Sequence, residues 1–319
     1  MSVNRDKPDR WKQDVAQSVD FYNEWFLEFA PSAYRETRIK TTQQVEEALV
    51  KTQNLRDISA QMLRASPEVL PMLRASTCPP IARDRLIGLA GVSSNLVKTM
   101  ELKESLPSRM SEEDLTSQLD KIGEIIERLA DRDIFVWLDR GDRSTEQELH
   151  RAATIVADRL CGAVADPIIR NAQEKRQLLA IKNWLEARGY RQLIMGEADS
   201  FDVMPKGTFS FRFNVPVYRE DESRVNIPVD AVVMRLDAEE GDYPLLIEAK
   251  SAGDFTNTNK RRKEEAQKVA QLRRTYGKDI EFHLFLCGYF DSGYLGYEAA
   301  EGIDWVWEHR IDDLTEFGL

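Results

Sequence analysis

Two short runs carry the residues with the most chemistry. Ile227-Pro228-Val229-Asp230 sets a carboxylate after an apolar lead-in, and Leu246-Ile247-Glu248-Ala249-Lys250 ends an apolar run on a carboxylate and an amine. Successive strand side chains alternate faces, so Glu248 and Lys250 share one face while Ile247 and Ala249 take the other. Charges in strands this apolar are costly to bury unless they are paired or bound to metal. Two carboxylates suit a hard cation such as Mg2+, which keeps several waters and binds phosphate oxygens. Asp230 and Glu248 are the expected ligands, aided by the backbone carbonyl of Ala249. Lys250 is placed to hold an attacking water or to offset developing negative charge. The reaction such a set supports is in-line hydrolysis of a phosphodiester, since the ion lowers the pKa of a bound water and stabilises charge on the phosphoryl group.

A lone Glu-x-Lys is usually a solvated ion pair of little consequence. Here it ends an apolar strand, an Asp sits on a second apolar strand, and a basic, Asn-rich segment follows at once. The chain carries a net charge of −11, which disfavours a polyanionic partner, but the distribution is uneven. From Lys250 to Lys278 nine basic residues face three acidic ones, so this stretch is +6 and the remainder −17. A local basic stretch in an acidic protein can still meet a phosphate backbone. Asn257, Asn259, Lys260, Arg261, Arg262 and Lys263 are its leading candidates for DNA contact, because Arg and Lys suit guanine and phosphate and Asn suits adenine. A solvated helix start is the plain alternative for the same residues. Arg212 and Asn214, on a strand near the site, suit DNA contact or a framework role equally.

The elements that must position these residues are predicted as follows. Trp11, Val15, Val19, Tyr22, Phe26 and Phe29 recur at helical spacing, as a buried helix face would. Val45, Leu49, Leu55, Ile58 and Met62 suggest a second helix, and Ile81 to Met100 a third. Ser111, with Asp114 three residues on, reads as a helix start before Leu115, Leu119, Ile122, Ile126 and Leu129. Ser144 to Val164 continues the helical region. The pattern changes after Pro167, with a helix from Ile168 to Gly189. Strands follow at Thr208 to Val217, Val225 to Arg235 and Leu245 to Lys250, then a helix from Lys260 to Tyr276 and a strand from Ile280 to Cys287. This order reads as an α/β (α+β) core, residues 166–319, preceded by a helical N-terminal region, residues 1–165, that clamps a ligand, forms a dimer interface, or both.

Several classes are excluded. No apolar run reaches membrane-span length. The stretch Met1 to Pro8 is polar without an apolar signal core, so a cytoplasmic protein is expected. Three widely spaced cysteines give neither a disulfide framework nor a zinc motif, and three scattered histidines form no H-E-x-x-H. No G-x-x-x-x-G-K-[ST] nucleotide loop occurs.

Pro228-Val229-Asp230 with Glu248-Ala249-Lys250 resembles the signature of the PD-(D/E)XK nuclease superfamily. A longer likeness joins it. The runs Asp20 to Phe26, Asp166 to Glu174, Ile247 to Phe255 and Leu286 to Tyr294 resemble the XamI-type restriction endonucleases, over nearly the whole chain. The resemblance implies a PD-(D/E)XK restriction-endonuclease-like core with a mixed sheet flanked by helices. It implies a type II restriction enzyme that cuts double-stranded DNA at a short palindrome, as a homodimer with Mg2+, and pairs with a cognate DNA methyltransferase. It also implies that Glu174, on the helix before the sheet, supports the metal site; a solvent-facing helix residue is the alternative. A structure-specific repair or junction-resolving nuclease, and a DNA-binding protein that does not cut, are the rival functions.

Overall fold

The computed structural model describes residues 2–193, 203–219, 221–256 and 258–319, without the side chains of 258–262. Two compact units form: Met1–Phe29 with Arg170–Leu319, and Ala30–Ile169. The boundary read from sequence, at 165, left the first 29 residues with the helical region, whereas in the structure they pack with the sheet.

The unit Ala30–Ile169 is helical. Helix α1 (Pro8–Lys51) runs into it, followed by α2 (Ala60–Ala65), α3 (Leu70–Ala75), α4 (Arg83–Ala90), α5 (Ser94–Lys103), α6 (Glu112–Leu129), α7 (Trp137–Arg140) and α8 (Glu146–Glu186). The predicted start at Ser111 is present: its hydroxyl accepts the Asp114 N–H at 3.1 Å, capping an orphan donor of α6. The helix expected over Ile81 to Met100 is two helices, because Gly91 adopts a left-handed backbone (φ 61°) and closes α4. The second predicted helix also divides, α1 ending at Lys51 before α2 begins at Ala60. Leu63, Leu70, Leu73, Leu86, Leu96, Ile122, Ile126 and Trp137 are fully buried at the centre of this unit.

Pro167 does not break the chain's course as expected. It lies inside α8, which joins the two predicted helices into one of 41 residues. An interior proline removes one helix hydrogen bond and costs about 3 kcal/mol. Buried Ala157, Cys161 and Ala165 before it, and Ile181 and Leu185 after it, outweigh that loss.

The other unit is built on a six-stranded mixed sheet in the order β1-β2-β3-β4-β5-β6. Its strands are β1 (Arg191–Gln192), β2 (Thr208–Tyr218), β3 (Arg224–Met234), β4 (Leu245–Ala252), β5 (Phe282–Gly288) and β6 (Asp304–Trp307). Strands β2, β3 and β4 pair antiparallel, and β4, β5 and β6 pair parallel. Helix α9 (Thr258–Tyr276) makes the crossover from β4 to β5, and α10 (Ser292–Ala300) the one from β5 to β6. On one face Leu246, Leu284 and Leu286 pack with Val269 and Leu272 of α9 and Tyr294 and Leu295 of α10. On the other, Ile247, Phe285, Ala231 and Val233 pack with Ile181, Trp184 and Leu185 of α8. This is the expected α+β core with helices on both faces, preceded by helices. No described helix is long and apolar enough to cross a membrane.

The N-terminal segment is tied to this sheet by polar groups. Val3 and Asn4 N–H donate to the Asp304 carboxylate at 2.6 and 2.9 Å. Arg310 donates to Asp14 at 2.6 Å, and the Gly288 N–H to the Ser18 hydroxyl at 2.7 Å. The aromatic stripe of α1 is therefore only partly buried. Tyr22 is inside and Trp11 packs on Trp305, but Phe26 is exposed, and the polar Asp14 and Ser18 are buried in its place.

Candidate active site

The β3–β4 register pairs Val233 with Leu245, Val232 with Leu246 and Ala231 with Ile247. One step further, the same register sets Asp230 across from Glu248. There the Ala249 N–H donates to Asp230 Oδ2 at 2.9 Å. Two residues along β4, Lys250 Nζ donates to Glu248 Oε1 at 2.9 Å. The hairpin turn at Gly241 (φ 98°) is what folds the two strands back on each other. Asp230, Glu248, Ala249 and Lys250 thus line one open cavity of ≈280 Å³, together with Arg170, Glu174, Gln177, Ser251 and Glu264. Gln177 holds its floor: its amide donates to the carbonyls of Lys250 and Phe285 at 3.3 Å each, bracing β4 against β5.

Two residues that the sequence reading did not single out join this set from α9. Lys268 Nζ lies 2.6 Å from Glu248 Oε1 and 3.1 Å from the Pro228 carbonyl. Glu265, buried to 1% exposure, lies 3.5 Å from Lys250 Nζ and accepts from the Tyr294 hydroxyl at 3.3 Å. A signal for them existed. Glu265, Lys268, Val269 and Leu272 fall at i, i+3, i+4 and i+7, one helix face. Two charged residues on the stripe that buries Val269 and Leu272 must meet partners inside.

The electrostatics follow from burial. Asp230 is pushed up to about 6 by burial first and by the Glu248 charge second, against the pull of the Ala249 N–H and the two lysines. Glu265 is pushed up to about 7, again by burial first, with Lys250 opposing. Burial tends to lower Lys250, but the carboxylates of Glu248 and Glu265 overcome it and hold its ammonium charged. Three carboxylates thus surround two ammonium groups.

Glu174 reaches the rim of the same cavity from α8 and pairs with Arg212 at 2.7 Å. Arg212 stands inside β2 with a left-handed backbone (φ 52°). It lies between Phe211, paired with Ala231, and Phe213, paired with Val229, so the break in the ladder falls beside Asp230. Asn214 is exposed on the same strand. Of the candidates for DNA contact, Lys263 is exposed on α9. Asn257 lies outside the described residues, as do the side chains of Asn259, Lys260, Arg261 and Arg262, whose backbone belongs to the first turns of α9.

The donor set fits a hard cation. Glu248 Oε1 is occupied by two ammonium groups, but Glu248 Oε2 is buried and has no hydrogen-bond partner among the described residues. It stands next to a second carboxylate that burial makes reluctant to ionise alone. Among the described residues no group of three or more His, Cys, Asp or Glu could hold a metal. Two carboxylates alone suit Mg2+, which is held by one or two protein carboxylates and completes its shell with water and substrate phosphate.

Comparison with known proteins gives the family of the chain. The family model described as XamI restriction endonuclease matches residues 53–307. The type II restriction enzyme SalI of Streptomyces albus G is 54% identical over 316 residues, covering 99% of each chain. No solved structure matches the chain. The match takes in both carboxylates, the motif lysine and the whole of α9, and this chain belongs to the XamI restriction endonuclease family.

Proposed function

We propose that this chain is a type II restriction endonuclease that hydrolyses phosphodiester bonds of double-stranded DNA at a short palindromic site, with Mg2+ held by Asp230 and Glu248. The observation that carries the reading is the single cavity in which β3 and β4 present Asp230, Glu248 and Lys250 side by side. Membership of a restriction endonuclease family supports it.

When bound, the ion supplies a water of lowered pKa and stabilises charge on the phosphoryl oxygens. Asp230 and Glu248, with the Ala249 carbonyl, are the ligands. Glu248 Oε2 is the open acceptor, and Asp230 must give up its proton before it can serve. Lys250, kept charged between Glu248 and Glu265, stands where it can orient the attacking water and offset the charge that grows on the phosphate. Glu174 supports the site from the rim. The segment Asn257 to Lys263, directly after β4, contacts the DNA, and its Arg and Lys residues reach phosphates or guanine edges.

A palindromic site favours a two-fold homodimer, in which each protomer cuts one strand. A cognate methyltransferase protects the host genome, and both act in the cytoplasm. The test is digestion of unmethylated phage DNA by the purified protein in Mg2+ and in EDTA. Discrete bands that need Mg2+ support a site-specific endonuclease. A smear would favour a structure-directed or nonspecific nuclease, and binding without cutting would overturn the reading.

A further inference from the structure

Helix α9 contributes more to this site than its exposed basic residues. It places a carboxylate and an ammonium group inside the sheet's catalytic face, each on a different member of the Glu-x-Lys motif. Glu265 stands on Lys250 and Lys268 stands on Glu248. Burial and further bonds set these apart from surface ion pairs. Glu265 is buried to 1% exposure, and the side chains of both lysines are 21% exposed. Lys268 also bonds the Pro228 carbonyl, two residues before Asp230, so one ammonium group ties β3, β4 and α9 together. Glu265 is in turn held by the Tyr294 hydroxyl from α10.

A buried ion network is a poor way to stabilise a fold. Replacing such groups with apolar ones is often neutral or stabilising. Apolar neighbours were available, since Val269 and Leu272 occupy the same stripe. The placement makes sense for positioning. Lys250 already donates to Glu248 at 2.9 Å, and that one contact alone would leave its ammonium free to swing about the shared oxygen. With Glu265 on its other side, its ammonium is held between the two. Lys268 takes up charge on Glu248 Oε1 and leaves Oε2 without a hydrogen-bond partner among the described residues.

We propose that Glu265 and Lys268 are positioning residues of the nuclease centre: Glu265, as a second carboxylate partner, fixes the place of the Lys250 ammonium beside Glu248, and Lys268 fixes the rotamer of Glu248. The inference rests on the assignment of Glu248 and Lys250 above. Neither residue touches substrate in this account; each acts through the motif residue that it contacts. Misplacement of a catalytic group by about 1 Å costs on the order of 100-fold in rate, and loss of a supporting partner typically about 10–100-fold.

The experiment measures three quantities for each variant of the full chain: the single-turnover cleavage constant in Mg2+, DNA affinity in EDTA, and melting temperature. Glu265→Gln keeps size and loses charge. Its cleavage constant is expected to fall about 10–100-fold, with DNA affinity within about twofold and no loss of melting temperature. Glu265→Leu takes one partner from Lys250 and from the Tyr294 hydroxyl and should melt below Glu265→Gln, yet cleave about as slowly as it does, a separation of cleavage from stability that a purely structural glutamate would not give. Lys268→Met should lose cleavage to a similar degree, and Lys268→Arg should recover most of it. Cleavage by Glu265→Gln and Lys268→Met within about threefold of wild type would overturn the inference. So would a loss that tracks melting temperature or DNA affinity. Lys250→Ala serves as the control: if it cleaves normally, the site assignment itself fails, whereas an inactive Lys250→Ala beside fully active Glu265→Gln sinks this inference alone.

Discussion

Lys268 Nζ stands 2.6 Å from Glu248 Oε1, and Lys250 Nζ stands 2.9 Å from the same atom. One carboxylate oxygen thus serves two ammonium groups from different elements, and the other oxygen is left without a hydrogen-bond partner among the described residues. The arrangement divides Glu248 into an oxygen that is fixed by cations of the protein and a buried oxygen left over for another partner. Asp230, across the strand pair, is the second acceptor there.

The metal-free protein should be stabilised by neutralising Asp230. Its carboxyl is raised from 3.8 to about 6, chiefly by burial. A raised carboxyl means that ionisation weakens the native state. The favourable contribution is complete below 3.8 and is lost as pH rises through about 6. In EDTA at about pH 8, Asp230→Asn should therefore melt above wild type by a few degrees, at about 2–4 °C per kcal/mol for domains of 150–250 residues. The gap should close towards about pH 5. Mg2+ should raise the wild-type melting temperature at the higher pH and far less at the lower, because binding needs the ionised carboxylate. Equal melting of the two proteins at high pH would contradict the burial argument.

One of the contacts by which the N-terminal helix holds the sheet is a buried hydroxyl. The Gly288 N–H is buried and donates to Ser18 at 2.7 Å. Ser18→Ala leaves that donor without an acceptor, which costs about 1–3 kcal/mol. Thermal or urea unfolding should show the loss. A variant as stable as wild type would mean that water or a shifted backbone replaces the hydroxyl.

Glu174 should be nearly silent in stability and audible in cleavage. Its pair with Arg212 joins side chains that are 39% and 62% exposed, and such pairs contribute at most about 1 kcal/mol. Glu174→Ala should leave melting little changed while slowing single-turnover cleavage and raising the Mg2+ concentration needed for half-maximal rate. Wild-type cleavage by Glu174→Ala would remove this residue from the metal site and leave it as a tether for Arg212.

The motif triplet was legible because charges that interrupt apolar strands stand out one by one. Asp230 follows Ile227-Pro228-Val229, and Glu248 and Lys250 follow Leu245-Leu246-Ile247, so alternation put Glu248 and Lys250 on one face and the hairpin brought Asp230 near them. The strands and the α+β core came from the same alternation and from the turn residues between the runs. Glu265 and Lys268 were hidden differently. They sit in the run Lys260 to Lys268, where nearly every residue is charged, and only the helix phase set by Val269 and Leu272 separates the inward pair from the rest. Asp14 and Ser18 were masked by the aromatic stripe beside them, which drew attention to the side that is only half-buried. Pro167 suggested a break because a proline's local preference is visible in sequence, and the packing that overrides it is not.

In the proposed function Asp230 and Lys250 perform hydrolysis rather than bind DNA. The most direct test follows a duplex carrying one cleavage site, with cleavage in Mg2+ and affinity in EDTA measured for wild type, Asp230→Ala and Lys250→Ala. The account predicts cleavage by wild type alone and comparable affinity for all three proteins. Cleavage by either variant at the wild-type rate, or loss of DNA binding in step with loss of cleavage, would contradict it.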